Sequence, residues 1–451
     1  MASWRWSLIV VGVVVIAGMA YSLRPRSYAP PPPSFPEPGI IKPGPSLVFT
    51  GTDSCSGRAC HGALEARAPD TQAVLQDEYT RWLLHDPHVN AYDVLLNERS
   101  RNIARNLAGP GQAVKAAHED QRCLACHSTP APLAAGVPTI QGVGCESCHG
   151  PAGKWLDVHV TASWKAAKKF EEYGMIPVGE TADCAKSCAG CHVGAAPDSN
   201  LPAHDVNHDL IAAGHPRLNF EYAAYRANLP PHWNVKVKKK SADEDARSWA
   251  VGQVVSAEQA LELLAQRAKP ENKSPWPEFA EYDCFACHHS LGESWRQQRG
   301  YGSRLPGALP WGTWYFSMAE QLATEARDTE LVAALQKIRQ DMEKPTPKYT
   351  ASQDVLQKLA RFRTAMGKQF NQESLWNLLR NEQASCDSWD MAEQFFQAAC
   401  ALYPSDQPLP MQLQELEEAR AFARHFDSPK GFDPGSFLKQ FRGALKQVAP
   451  K

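Results

Sequence analysis

Four times in this chain two cysteines stand three positions apart and a histidine follows at once: Cys123-Leu-Ala-Cys126-His127, Cys145-Glu-Ser-Cys148-His149, Cys188-Ala-Gly-Cys191-His192 and Cys284-Phe-Ala-Cys287-His288. With 13 cysteines and 15 histidines in 451 residues, chance supplies roughly 0.01 such segments. Cysteines three apart share one side of a helical turn. From there both sulfurs reach the two vinyl groups of one porphyrin, and the adjoining histidine swings under the ring to bind iron. Zinc is the competing reading, yet zinc pairs rarely carry a histidine directly after the second cysteine. A disulfide between residues three apart in a helix has poor geometry. The motifs therefore point to covalent haem c, with His127, His149, His192 and His288 as proximal ligands.

A fifth segment, Cys55-Ser-Gly-Arg-Ala-Cys60-His61-Gly62, has four intervening residues but the same ending. Its Cys-His-Gly repeats the ending at Cys148-His149-Gly150, and a bulged loop would let both sulfurs reach a porphyrin. The expectation is about five haems, with Cys55, Cys60 and His61 at the first. The count is four if Cys55 and Cys60 form a disulfide instead.

The other side of each iron calls for a second ligand. Residues 46–304 contain one methionine, Met175, against nine spare histidines: His85, His88, His118, His159, His204, His208, His215, His232 and His289. Bis-histidine ligation is the default, and it gives lower potentials than histidine–methionine ligation. His88, His159, His208 and His215 are the favoured distal ligands, with His85 competing with His88. His208 and His215, seven apart, would face one way on a helix. Four favoured partners for five irons leave one iron undecided, and an open iron would bind a small ligand.

The segments order the chain. Ser7 to Leu23 is an uncharged apolar run between Arg5 and the pair Arg24 and Arg26. It reads as an export signal retained as an anchor (1–23). Residues 24–45 form a proline-rich spacer containing Ala29-Pro30-Pro31-Pro32-Pro33. Residues 46–304 hold eleven of the cysteines and fourteen of the histidines, and residues 305–451 only Cys386, Cys400 and His425. In that last part Leu331, Leu335, Ile338 and Met342 repeat at helical spacing, as do Val355, Leu359, Phe362 and Met366. Leu438, Phe441 and Leu445 make a shorter stripe. Earlier in the chain, Glu78 to Asn97 reads as a helix. No segment alternates as a strand, so the fold class is mainly α: a multihaem domain whose core is filled by cofactors, then an α-helical C-terminal domain of four to six helices. A single helix from Ser388 to Tyr403 would hold Cys386 and Cys400 apart. The run Lys236, Lys238, Lys239 and Lys240 could dock an acidic partner or line a solvated loop. A formal charge of −2 gives no footprint for nucleic acid.

On these residues the chain resembles the cytochrome c-552/4 family, the nitrifier-type tetrahaem electron carriers. The shared features are Cys55…Cys60-His61 with Trp82…His88, Cys123…His127, Gly142-Val-Gly-Cys145-Glu-Ser-Cys148-His149-Gly150-Pro151…His159, Cys188…His192, Asn207-His208-Asp209…Gly214-His215-Pro216 and Cys284…His288. The resemblance spans roughly residues 50–295. It implies closely stacked haem pairs and a role passing electrons between partner proteins, here outside the cytoplasm at the inner membrane. The chain departs from those carriers in its fifth motif and its helical C-terminal extension. It also lacks the Cys-x-x-Cys-Lys motif of pentahaem nitrite reductases. The enzymatic alternative is an oxidoreductase acting on a small nitrogen or sulfur oxide at a five-coordinate haem.

Overall fold

The computed structural model describes residues 48–448 apart from 68–71, 130–141, 168–169, 198–201, 238–240, 272–274, 289–304, 306, 350–352, 382–383, 385, 387, 404–408 and 416–433. The anchor and proline-rich segments, His289 and Lys238 to Lys240 lie outside the described residues. Among the described residues the regular structure is helical, and the β contacts are the isolated bridges Ala195–His204 and Tyr282–Trp311.

The first part is built from short helices. Helix α1 (Glu78–His85) stops where Pro87 forces Asp86 into an extended conformation, φ −84° and ψ 121°. Two 3₁₀ turns, Pro87–Asn90 and Asp93–Leu96, then carry the chain to Asn97. The expected helix from Glu78 to Asn97 is therefore one helix and two turns. Asn97 caps α2 (Glu98–Ala108) by accepting from the Ser100 amide at 2.9 Å. Asp120 caps α3 (Gln121–His127) in the same way, accepting from Arg122 N at 3.0 Å. The next helices are α4 (Cys145–His149), α5 (Ala162–Ala167), α6 (Thr181–His192), α7 (His208–Ala212) and α8 (Tyr222–Asn228). Each C-x2-C-H segment in α3, α4 and α6 closes its helix, so its histidine stands at the C-terminal end. The fourth occupies a 3₁₀ turn, Cys284–Ala286.

Helix α9 (Ala242–Arg267) is the axis of the second part. It opens with a capping box in which Ser241 and Glu244 satisfy each other's backbone amides. Buried residues occur all round it, from Trp249, Val254 and Leu261 to Gln253 and Ser256. It lies against α6 and α8 on the side of the motifs, and against α10 (Ser317–Glu325), α12 (Gln353–Gln369) and α13 (Gln372–Arg380) on the other. Helices α11 (Thr329–Met342), α14 (Trp389–Cys400) and α15 (Pro434–Val448) complete the region.

The two long stripes bury the residues that the spacing picked out: Leu331, Leu335, Ile338 and Met342 in α11, and Val355, Leu359, Phe362 and Met366 in α12. Phe441 and Leu445 of α15 are buried as well. The helix expected from Ser388 to Tyr403 is α14, Trp389–Cys400, which carries Cys400 at its last position, with Cys386 ahead of its Ser388 cap. One apolar core extends from Ala185 to Leu445. The change in composition after residue 304 thus marks where the haem motifs stop, while the core packing runs across it. No helix among the described residues is long and apolar enough to cross a membrane.

Candidate haem-binding site

The five motif histidines each face a second imidazole. His61 pairs with His159, with ring centroids 6.2 Å apart, and His127 with His215 at 6.4 Å. His149 pairs with His232 at 6.3 Å, His192 with His88 at 6.0 Å, and His288 with His208 at 6.4 Å. This spacing is a test of what the pairs can hold. A metal about 2 Å from one nitrogen of each ring puts the two centroids roughly 6.2 Å apart. Imidazoles in direct stacking contact would sit much closer, so the gap fits an iron.

The second nitrogens support the same reading. His127 Nδ1 donates to Ala91 O at 2.8 Å, His159 Nδ1 to Leu156 O at 2.5 Å and His215 Nδ1 to Pro216 O at 2.8 Å. A carbonyl only accepts, so Nδ1 carries the proton and Nε2 keeps its lone pair for a metal. His61 and His88 make the corresponding bonds to the carboxylates of Glu78 (2.9 Å) and Asp86 (2.8 Å). Burial pushes His149 and His192 down to about 4 and lowers His127, His215 and His232. These rings are neutral at pH 7, the form that ligates. Only His61 is shifted upward, by its hydrogen bond to Glu78. Two large apolar side chains beside the pairs are left exposed, Tyr225 and Phe279. Tyr225 lies edge-on to His192 at 4.9 Å and Phe279 to His208 at 5.7 Å. A flat apolar macrocycle between each pair would cover them.

Residues 55–150 match the family described as cytochrome c554 and c-prime. Residues 55–150 therefore form a domain of a multihaem cytochrome c family. No curated protein and no solved structure matches it. Covalent c-type haems and electron transfer through them follow from the family.

Within that domain, Glu146 explains why a carboxylate sits inside an attachment motif. It is 2% exposed and accepts from the amides of Thr50 (2.9 Å), Gly51 (2.7 Å) and Ala152 (2.7 Å). It thereby ties the entry to the first motif against the second C-x2-C-H helix, α4. In the expanded first motif the Cys60 amide turns back to Gly57 O at 2.8 Å, which takes up the extra residues. A Cβ on Gly62 would fall 1.8 Å from Ser56 O, so the Cys-His-Gly ending is fixed by a close backbone approach.

The motifs also touch one another. The Cys55 and Cys145 thiols are close enough to interact, which lowers Cys55 to about 7. Cys126, Cys191 and His204 place one ligand atom each within 4.8 Å of the others. Ser187 Oγ of α6 donates to Cys148 O at 3.4 Å. The group Cys126, Cys191 and His204 has the makeup of a metal site, but both sulfurs belong to haem motifs. What it marks is two attachment corners in contact.

The favoured distal histidines His88, His159, His208 and His215 all lie in imidazole pairs, but not in sequence order. His88 follows the first motif and faces His192, 104 positions on. His208 and His215 do not share a helix face: α7 ends at Ala212, and the two serve different motif histidines. His232, which the sequence left among the also-rans, stands opposite His149. It lies in Leu229-Pro-Pro-His232-Trp233, with the Arg226 guanidinium 3.7 Å over the Trp233 ring. Its Nδ1 is buried with no hydrogen-bond partner. No helical pattern marks it, and its only signal was that five irons needed a fifth partner. His85 is exposed, His118 is mostly buried beside Glu119, and His204 donates to Gly190 O at 2.8 Å. Met175 packs with Trp155 and Trp164.

Proposed function

We propose that this cytochrome carries five haems c and relays electrons between donor and acceptor proteins outside the cytoplasm. The thioethers form at Cys55/Cys60, Cys123/Cys126, Cys145/Cys148, Cys188/Cys191 and Cys284/Cys287. The observation that carries the count is the set of five imidazole pairs at 6.0–6.4 Å. Each motif histidine has a partner at ligating distance, so the reading favours six-coordinate irons over a five-coordinate enzymatic haem.

One-electron exchange at iron is the chemistry the haem supplies. The chain supplies neutral imidazoles, orients them through Nδ1, and packs apolar side chains around the pairs so that oxidation-state changes demand little rearrangement. Bis-histidine ligation keeps the potentials low. Attachment through paired thiols suits export, and residues 1–23 with the proline-rich spacer would hold the haems at the outer face of the inner membrane.

Pyridine haemochrome quantification combined with intact-protein mass tests the count, and the same spectrum shows whether residues 1–23 are retained. Five haems with a fully low-spin ferric spectrum, unmoved by cyanide or nitrite, are expected. Four haems, or a high-spin signal that shifts on adding either ligand, would overturn the proposal.

A further inference from the structure

The last motif in chain order, Cys284 to His288, the fifth counting from Cys55, is seated differently from the other four. Those four interlock with one another through Glu146 with the Thr50 and Gly51 amides ahead of Cys55, Cys148 with α6, and Cys126 with Cys191. Cys284 instead feels the charges of Arg217, Asp390 and Asp283. Its flanks are bonded into the C-terminal half. Asp283 N donates to Pro310 O at 3.0 Å, and Gly312 N to Glu281 O at 3.1 Å. Tyr282 Oη donates to Met342 O at 3.0 Å, at the end of α11, and Trp311 N to Glu343 Oε1 at 3.1 Å. The half-buried Arg217 grips the buried Asp390 of α14 with two bonds of 3.1 and 2.9 Å, and Thr313 donates to the same carboxylate.

On the far side of the fifth pair, His208 opens α7, and His215 follows its end with its amide donating to Leu210 O at 3.1 Å. His215 faces His127 of the Cys123 motif. The bond to Leu210 O folds His215 back onto the short helix that His208 opens, so two irons held at these positions are neighbours. Ring orientation separates the same positions. The planes are near-parallel at the first and fifth pairs, 17° and 29°, and near-perpendicular at the other three, 74–87°.

We propose that the haem on Cys284 and Cys287 is a terminal member of the relay, seated by the C-terminal helices and exchanging electrons with the rest through the haem between His127 and His215. The inference rests on the five-haem reading. It makes the C-terminal half a holder for one end of the relay, with the first motif at the other.

The test is a redox titration, followed by electron paramagnetic resonance, of the full-length holoprotein and four variants: His208→Met, His215→Met, His159→Met and Asp390→Asn. Mass is measured first. A wild-type count below five defeats the five-haem reading, whereas with five haems bound the remaining outcomes bear on this inference alone. His208→Met should raise one midpoint and remove one of two signals of the near-parallel type. Combined with His215→Met its shift should be non-additive, and with His159→Met additive. Asp390→Asn removes a negative charge near the fifth seat, so it should raise the His208-sensitive midpoint and leave the other four in place. Coupling of His208→Met to His159→Met rather than to His215→Met would overturn the proposal. So would an Asp390→Asn shift that falls on another haem, or that is absent.

Discussion

The two halves of the molecule solve the burial problem with different materials. Before α9, the apolar clusters that stand apart from the main core are small: Tyr92, Leu95, Ala104, Ala117 and Leu124 in one, Ile103, Leu210 and Ala213 in another, Ala152, Trp155 and Trp164 in a third. Every imidazole pair has at least one member in this half, and Tyr225 and Phe279 beside the pairs are exposed. From α9 onward a single core of side chains runs to Leu445, with Trp249, Trp311, Phe395 and Phe441 at most 1% exposed. Only this second half has enough of its own apolar surface to fold on the hydrophobic effect alone. The first half needs its cofactors as core material. Helix α6 joins the two, since Ala185 and Ala189 enter the large core and Cys188 packs against it, while Cys191 meets Cys126 and His192 faces His88.

Removing the haems is the strongest way to break that contrast. Chain produced without haem attachment should lose ordered structure from residue 48 to about residue 180 while α9 to α14 stay protected. Limited proteolysis mapped by mass, with far-UV circular dichroism on the same sample, reads both halves at once. Equal protection across the chain would mean that side chains alone hold the first half. Equal loss would mean that the large core depends on the haems as well.

What the sequence made legible follows the same division. The stripes of α11 and α12 were readable because one face of each is buried and the other wet, which writes a 3.6-residue period. Helix α9 is the centre of the fold and left no such trace, because it is buried nearly all round and its apolar residues have no polar face to contrast with. The attachment motifs were legible because thioether chemistry fixes their spacing locally. Distal pairing was not. Which imidazole meets which is settled by how α1, α7 and the 229–233 segment fold back. His88 therefore crosses to His192, and His232 reaches His149 from a proline-flanked loop with no periodicity.

Glu221 sharpens the comparison at the seam. It follows Phe220, which stacks on the His192 ring at 5.6 Å, and caps α8 while accepting from Gln253 of α9 at 3.4 Å. Burial outweighs these hydrogen bonds and pushes its carboxyl up to about 7. Between the ordinary carboxyl value of 4.5 and about 7 the folded chain holds a proton that the unfolded chain has released. Its contribution is therefore full at low pH and lost as pH rises through that window, by at most about 3 kcal/mol. Glu221→Gln should leave stability near pH 4 unchanged and raise it at pH 8, as read by denaturant midpoints at the two values. A variant destabilised equally at both would show that the carboxylate is needed charged.

Glu146 gives the smallest expected effect and the most local one, inside the half that lacks a large core. Its two oxygens accept from three backbone amides, and an amide side chain has one oxygen to offer. Glu146→Gln should leave the Gly51 or the Ala152 N–H facing an NH₂ group, an unsatisfied buried donor costing about 2 kcal/mol. With haems covalently attached the count stays the same. What should change is amide exchange, faster at Thr50, Gly51 and Ala152 and unaltered in α9. Unchanged exchange at those three amides would mean that the haem beside α4, rather than this carboxylate, fixes the entry to the first motif, and the first half would then depend even more on its cofactors.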